Sequence, residues 1–300
     1  MRLVILVCLL VGSAGCATGG GSAPGSLPNS LTAEQVAKAS QVEVDHLLIQ
    51  ARLASNKDDH EAASVLYQRI VSLDDSAENW LNLALELDEL QHVEPTLAAY
   101  TKALEKDPEL SMAHQKSGLL LLRVRRYQEA KDHFAQAVAS DPELWRSWNG
   151  LGVIADLAGE LDIADSHYAA AIAVNAESSM LWNNRGYSRY LAEDFTAARQ
   201  YFEFAIATEV SYKPAWANLG LVSARVGEYE EALDILSKIQ PQAVAYNDIG
   251  YIALLNNDLD TSEYLIGRAI ATSPSYYEAA QNNMALLNLE REKQVLRDLK

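Results

Sequence analysis

Residues Trp145–Ser178, WRSWNGLGVIADLAGELDIADSHYAAAIAVNAES, hold a pattern of large and small side chains that recurs along the chain. The recurring positions are a tryptophan, a glycine and an alanine, repeated every 34 residues. They are Trp148, Gly152 and Ala164 in this stretch, Trp182, Gly186 and Ala198 in the next, and Trp216, Gly220 and Ala232 in the third. A fixed period of this length is typical of repeat architectures, so we expect stacked units rather than one closed core.

The spacing inside one unit predicts two antiparallel helices. In the first half, Trp148 and Gly152 are separated by one helical turn and share one face. In the second half, Ala164, Tyr168 and Ala171 follow the same rule. Small residues at Gly152 and Ala164 let the two backbones approach closely, while Trp148 and Tyr168 fill the space beside that contact. One such hairpin cannot bury its apolar side alone, which predicts stacking on its neighbours.

These units resemble the tetratricopeptide repeat (TPR) family in period, in small-residue placement and in their aromatic wedges. The resemblance implies an all-α fold, a right-handed TPR superhelical solenoid of about seven helical hairpins with a C-terminal capping helix. Its register places the units at residues 44–76, 77–110, 111–144, 145–178, 179–212, 213–242 and 243–276. Pro241 is expected to cut the second helix of the sixth unit short, since proline removes an amide donor. A polar helix from Tyr277 to about Asp298 is expected to cap the end.

Charge and cysteine content narrow the class of partner. The formal net charge of −17 argues against a nucleic-acid partner, because phosphate binding depends on Lys and Arg. An acidic solenoid is better suited to stay soluble and to meet other proteins. The two cysteines, Cys8 and Cys16, both precede the repeats, so no disulfide is expected within them.

The sequence offers no convincing set of catalytic or metal-ligating residues. Residues 58–61 bring two aspartates, a histidine and a glutamate together, but they fall in a predicted turn, where chain neighbours rarely converge on one ion. The helix glycines recur with the repeat, which favours packing contacts over phosphate binding. Phosphate loops, nucleophile elbows and paired zinc-ligand motifs do not occur in the sequence. We therefore expect no enzyme activity, no catalytic residue, no metal, no cofactor and no small-molecule substrate.

The N-terminal segment resembles the leader of a bacterial lipoprotein. Residues 1–15 combine a charged start, a short apolar run and small residues, which predicts a lipoprotein signal peptide. The small residues before Cys16 resemble a lipobox, which implies a lipidated cysteine. Ala17 after it implies sorting to the outer membrane of a Gram-negative bacterium, on the periplasmic face. Residues 16–30 would then be the lipidated cysteine and a flexible Gly/Ser/Pro tether, and residues 31–300 the solenoid. The alternative is an ordinary signal peptide with an incidental cysteine.

In TPR proteins the first helix of each unit lines a concave groove, and the resemblance implies the same here. Carried over position by position, it gives a candidate partner-binding groove of aliphatic, aromatic and amide side chains. These are Met180, Asn183, Asn184, Tyr187, Tyr190, Asn218, Leu221, Val244, Asn247, Tyr251 and Leu254. Asparagine amides can pair with a backbone and tyrosines supply rigid contact area, which suits an apolar helix or an extended peptide. The alternative is that the tyrosines pack against adjacent helices.

Two strings, Leu181–Tyr187 and Tyr246–Tyr251, extend the resemblance to TPR lipoproteins of pilus and secretion systems. The likeness is to tight-adherence (Flp) pilus assembly proteins of the TadD type and, more distantly, to type IV pilotins. It implies an outer-membrane-anchored protein that binds a protein client, such as a secretin subunit, and assists its assembly or localisation. Two alternatives are a lipoprotein scaffold that regulates peptidoglycan enzymes or cell division, and a periplasmic enzyme with an unrecognised site. The expected partners are a protein client and, through the lipid anchor, the membrane.

Overall fold

The computed structural model describes residues 33–298, and these residues form fifteen α-helices and no strand. The helices are α1 (Ala33–Ser55), α2 (His60–Leu73), α3 (Ala77–Glu89), α4 (Val93–Lys106), α5 (Ser111–Arg123), α6 (Tyr127–Ser140), α7 (Trp145–Leu157), α8 (Leu161–Val174), α9 (Ser179–Leu191), α10 (Phe195–Thr208), α11 (Lys213–Arg225), α12 (Tyr229–Leu236), α13 (Gln242–Leu255), α14 (Leu259–Thr272) and α15 (Glu278–Asp298). The predicted signal peptide, Cys16 and the tether lie outside the described residues. Of the fifteen helices, none has the length and apolar character that a bilayer crossing requires.

Consecutive helices pair as hairpins, from α1 with α2 to α13 with α14, and each hairpin packs on the next. Helix α15 packs on α13 and α14 at the end of the stack. The result is an all-α superhelical solenoid of seven hairpins and a C-terminal capping helix, in the register that the repeat predicts. The cap is less uniformly polar than expected, because Leu286 and Leu289 of α15 are exposed beside its charged residues.

In the third, fourth and fifth hairpins, the seam between the two helices is closed by a glycine against an aromatic ring. A Cβ added at Gly152 would lie 2.6 Å from the ring of Tyr168, and one added at Gly186 would lie 2.7 Å from the ring of Phe202. Tyr168 and Phe202 are fully buried. These glycines are therefore packing residues, as the repeat spacing predicts, because the space that a side chain would need is filled by the ring.

Trp148 differs from the expectation of a core residue, since it is only half-buried. Its indole Nε1–H donates to the carbonyl oxygen of Pro142 at 3.0 Å, and its ring stacks on His167 with centroids 5.7 Å apart. Trp182 and Trp216 donate in the same way to the carbonyl six residues earlier. An indole has one polar edge, and here that edge meets a loop carbonyl. The tryptophan position thus ties each hairpin to the loop that precedes it.

Each hairpin turns through one residue with a left-handed backbone at the same position of the repeat. These residues are Asp58, Gln91, Arg125, Gly159, Glu193, Gly227 and Asn257, with φ between 59° and 87°. Glycine adopts this conformation freely, whereas a residue with a Cβ is strained in it. Five of the seven turns therefore hold a strained residue, so the stacking of the helices imposes the turn geometry where the local sequence does not favour it.

The sixth hairpin is irregular. Its second helix, α12, has eight residues, whereas α10 and α14 have 14 each. The short helix is therefore confirmed, but it ends at Leu236 and Pro241 is the N-cap of α13. Pro241 starts the next first helix rather than interrupting α12. This junction leaves an opening between α11 and α13 that matters below.

The first helices of successive hairpins form one continuous layer. Helices α5, α7, α9, α11, α13 and α15 contact one another in that order, and each second helix packs against the first helices before and after it in the chain. We call the exposed face of this layer from α7 to α15 the inner groove. All eleven predicted groove residues lie on three of its helices, α9, α11 and α13.

Candidate functional site

The inner groove contains two concavities rather than one uniform trough. The first, which we call the α7–α9 pocket, has a volume of about 390 Å³. Its lining residues are Val153, Asp156, Leu157, Tyr168, Asn183, Asn184, Tyr187 and Leu191. Three of the predicted groove residues, Asn183, Asn184 and Tyr187, are thus brought together there. The side chains that join them are mainly apolar, and one of them is an aspartate.

Asp156 is a groove residue that the sequence analysis missed. Its Oδ2 accepts a hydrogen bond from the Tyr168 hydroxyl at 2.8 Å, and its Oδ1 accepts one from Ser188 Oγ at 2.7 Å. Burial raises the pKa of the Asp156 carboxyl, and the two hydroxyl donors lower it in part. The network joins α7, α8 and α9, so Asp156 positions the helices that form this pocket. An aspartate near the end of a helix carries no sequence signal that separates this role from a solvated one.

The second concavity, the α11–α13 pocket, has a volume of about 370 Å³. It is lined by Ala217, Asn218, Gly220, Leu221, Ala224, Leu236, Gln240, Asn247, Asp248, Ile249, Tyr251, Ile252 and Asn283. Four predicted residues meet there: Asn218, Leu221, Asn247 and Tyr251. The walls are again mostly apolar, and Asp248 is the single charged residue among them.

The asparagines of the groove hydrogen-bond to one another across neighbouring first helices. Asn184 Nδ2 donates to Asn149 Oδ1 at 2.9 Å, and Asn218 Nδ2 donates to Asn183 Oδ1 at 2.9 Å. Further along, Asn283 Nδ2 donates to Asn247 Oδ1 at 3.0 Å. An amide has acceptor capacity left after donating. The Oδ1 atoms of Asn184 and Asn218 accept no hydrogen bond from the part of the chain that the structure describes. They can therefore accept from the backbone N–H groups of a bound segment.

The three predicted groove tyrosines differ in how much of their side chain is exposed. Tyr187 is 43% exposed and Tyr251 is 39% exposed, so both rings face the groove opening. Tyr190 stacks on Tyr187 with centroids 6.1 Å apart and packs against Phe195. Burial raises the pKa of the Tyr190 phenol. Tyr190 thus supports Tyr187 from behind.

Besides Tyr190, three predicted residues line neither pocket. Met180 packs beside the buried Leu181 together with Trp182. Val244 and Leu254 on α13 are half-buried. The structure therefore gathers seven of the eleven predicted residues into the two pockets and leaves Met180, Tyr190, Val244 and Leu254 outside them.

A cluster of metal-ligating side chains is not part of this site. Among the residues with described side chains, no group of three or more His, Cys, Asp and Glu residues is placed to hold a metal ion. The chemistry that the groove offers is therefore contact with apolar surface, aromatic rings and amide or carboxylate acceptors.

Comparison with known proteins agrees with this architecture. The family model described as tetratricopeptide repeat matches residues 116–164, 158–209 and 192–248. No curated protein sequence matches the chain. Among solved structures, a tetratricopeptide repeat protein from Parabacteroides merdae has a TM-score of 0.60 at 13% identity, over 81% of this chain and 98% of that one.

Two further solved structures share the fold. PilF of Pseudomonas aeruginosa has a TM-score of 0.53 at 17% identity, over 82% of this chain and 99% of that one. YrrB, a TPR protein with an unusual peptide-binding site, has a TM-score of 0.51 at 20% identity, over 66% of this chain and 99% of that one. Residues 116–248 of the present chain are thus tetratricopeptide repeats, and its helices form a tetratricopeptide repeat solenoid.

Proposed function

We propose that the protein is an outer-membrane lipoprotein that binds a protein client in the inner groove and assists the assembly or localisation of a pilus or secretion complex. A secretin subunit is the client that the proposal names. The role needs no catalysis, because a TPR solenoid acts as a scaffold for protein interactions.

The observation that carries the proposal is the pair of exposed tyrosines in an otherwise mainly apolar groove. Tyr187 and Tyr251 project from α9 and α13, each at the edge of one pocket. Tyrosine supplies large rigid contact area with a polar tip, which is why it is enriched at binding hot spots. Together with the free amide acceptors of Asn184 and Asn218, the groove suits a largely apolar segment that also presents N–H donors.

The pilus role and the membrane anchor are supported by different observations. One is the fold likeness to PilF across most of both chains. The other is the N-terminal sequence, in which small residues precede Cys16 and a Gly/Ser/Pro-rich stretch follows it. A lipidated Cys16 would hold the solenoid at the membrane, since several acyl chains give stable attachment. The groove could then shield the client segment while the anchor delivers the complex.

The anchor is tested by cell fractionation. Wild-type protein is expected in the outer-membrane fraction and Cys16→Ser in the soluble periplasmic fraction. Metabolic labelling with an alkyne fatty acid should mark wild-type protein alone. Wild-type protein that stays soluble and unlabelled would contradict the proposed anchor.

The client is tested by purification of the protein from cells of its own bacterium, followed by probing for the secretin. We expect the secretin to co-purify with wild-type protein and to be lost with the double variant Tyr187→Ala/Tyr251→Ala. Val65→Ala/Leu53→Ala is a control, because it removes exposed apolar side chains from the first hairpin, away from both pockets. Recovery of peptidoglycan synthases or hydrolases in place of the secretin would favour the cell-wall scaffold instead.

A further inference from the structure

The α11–α13 pocket lies at the junction where the sixth hairpin is short. Helix α12 ends at Leu236, and the chain reaches α13 through a linker that ends at Pro241. Leu236, the last residue of α12, and Gln240 of the linker both line the pocket. The irregular linker thus contributes Gln240 to this pocket, whereas the α7–α9 pocket between regular hairpins has no linker residue in its lining.

Asp248 is the only charged residue in the lining of this pocket. Its Oδ2 accepts a hydrogen bond from Gln240 Nε2 at 2.9 Å, and its Oδ1 accepts a long one from Asn247 Nδ2 at 3.4 Å. An ionised carboxylate can accept about four hydrogen bonds, so acceptor capacity is left on both oxygens. The Asp248 side chain is exposed, and none of the ion pairs among the described residues includes it.

The surroundings of Asp248 suit a cation with an apolar stem. Leu221 and Ile252 form apolar walls, and Tyr251 presents a partly exposed ring at the same pocket. Tyr277 lies near Asp248. The pKa of its phenol is raised mainly by burial and also by the negative charge of Asp248. Lysine and arginine bury their methylene stems along apolar surface and place their charge beside a carboxylate or over a ring.

The carboxylate also restricts what can cover the pocket. A purely apolar segment seated on it would remove the Asp248 carboxylate from water without a compensating positive charge, which is unfavourable. A segment with a positive charge at that place gives the carboxylate an ion pair instead. Charge at a groove of this kind selects among clients that are equally apolar elsewhere.

We propose that the α11–α13 pocket binds a lysine or arginine side chain that projects from the apolar face of the client helix, with its charge on Asp248. This inference rests on the proposed client-binding function of the inner groove and names the chemistry of the client at one position.

The test is a selection of displayed peptides with the full chain as bait. The library consists of amphipathic helices of leucine, alanine and glutamine in which one central position of the apolar face is fully varied. The three baits are wild type, Asp248→Asn and Asp234→Asn. The last is a matched control, since it removes the same charge from an exposed residue of α12 outside the pocket. In Asp248→Asn the side-chain oxygen can still accept from Gln240.

Wild type and Asp234→Asn are expected to enrich lysine or arginine at the varied position, and Asp248→Asn is not. The selected peptide is then synthesised with lysine or with norleucine, which keeps the methylenes and removes the charge. Fluorescence anisotropy should show the lysine form binding wild type at least about tenfold more tightly, with a ratio near one for Asp248→Asn.

The outcomes separate the two proposals. Enrichment of apolar residues at the varied position by wild type, or of lysine by Asp248→Asn, would overturn the assignment of Asp248 and leave the groove intact. If no bait enriches any helix over the starting library, both the pocket inference and the helix-binding groove fail.

Discussion

Nδ1 of His114 lies 3.0 Å from Nδ1 of His133, between the two helices of the third hairpin. His114 occupies the position that holds tryptophan in Trp148 and its equivalents. Its Nε2 is 3.1 Å from the carbonyl oxygen of Pro108, where the indole N–H of Trp148 donates to Pro142 at 3.0 Å. If Nε2–H of His114 donates there, its Nδ1 must accept, and Nδ1–H of His133 is the donor between the rings. In that arrangement the proton of neutral His114 is on Nε2, the nitrogen that takes the place of the indole N–H.

This pair makes the third hairpin sensitive to acid. Burial, and then the positive charge that His114 can carry, lower the pKa of His133 below its usual value of 6.5, and Asp132 and Glu129 oppose the shift. The unfolded chain therefore binds a proton that folded His133 resists, so stability is lost as pH falls below about 6.5. We expect the free energy of unfolding to drop less between about pH 7.5 and about pH 5.5 in His133→Gln than in wild type. The two losses of unfolding free energy should differ by less than the roughly 1.4 kcal/mol that corresponds to one pKa unit, because water partly screens the His133 ring.

Urea titrations at both pH values measure this difference. His114→Trp is the companion variant, since it supplies the ring that stacks on a histidine in the next hairpin, Trp148 on His167. It should fold and should also lose less stability in acid than wild type. Equal losses in wild type and His133→Gln would show that the paired imidazoles are not the source.

The glycine seam predicts an asymmetry between two helical glycines. Gly152→Ala should destabilise the protein by about 1–3 kcal/mol, because the new methyl group would lie 2.6 Å from the buried Tyr168 ring. Gly267→Ala is the matched control on α14, where an added Cβ meets nothing within 4 Å. There the substitution should stabilise by about 0.5–1 kcal/mol, since alanine is the better helix former. Thermal and urea unfolding of the two variants compare them directly, and a neutral Gly152→Ala would mean that the seam is looser than the structure indicates.

The left-handed turns predict a stabilising substitution. Glu193 has φ of 59° at the position where Gly159 and Gly227 have 75° and 87°. Glu193→Gly should raise the free energy of unfolding by up to about 1 kcal/mol, because glycine relieves a Cβ strain of about 1–2 kcal/mol and costs some chain entropy. Gly159→Ala should do the opposite by a similar amount. Differential scanning calorimetry of both variants provides the measurement, and a fall in melting temperature for Glu193→Gly would contradict the strain.

The parts of this structure that the sequence could predict are those that repeat. Glycine at Gly152, a large apolar residue at Tyr168 and alanine at Ala171 recur with a fixed period, which predicts the hairpins and their seams. The inner layer of first helices follows from the resemblance to tetratricopeptide repeats. The tryptophans were predicted in the right places but with the wrong burial. The repeat pattern predicts a large ring at Trp148. It does not predict that the indole N–H donates to the carbonyl oxygen of Pro142, because that contact depends on the conformation of the loop before α7.

The parts that could not be predicted depend on single contacts between units. Asp156 bonds to Tyr168 and Ser188, and Asn184 bonds to Asn149, across helices whose relative rotation no local pattern specifies. Asp248 lies in a pocket whose lining includes Leu236, the last residue of α12, and Gln240 of the linker that follows it. The sequence predicts a short sixth unit. The pocket beside it depends on how α11 and α13 pack, which the sequence pattern does not specify.

The two groove tyrosines separate binding from stability. Tyr187 and Tyr251 keep about two fifths of their surface in water, so their replacement by alanine removes contacts that are largely on the outside. We expect Tyr187→Ala/Tyr251→Ala to retain wild-type helicity in circular dichroism and to lose no more than about 2 kcal/mol of unfolding free energy. Tyr168→Ala is the contrasting variant, because that ring is 1% exposed and its hydroxyl donates to Asp156. It should lose about 3–5 kcal/mol, as expected for removal of a buried aromatic side chain.

If the double variant unfolds as readily as Tyr168→Ala, the tyrosines are structural, and their loss of client binding would no longer locate the site. If it stays folded and loses the client, the inner face of α9 and α13 is the binding surface.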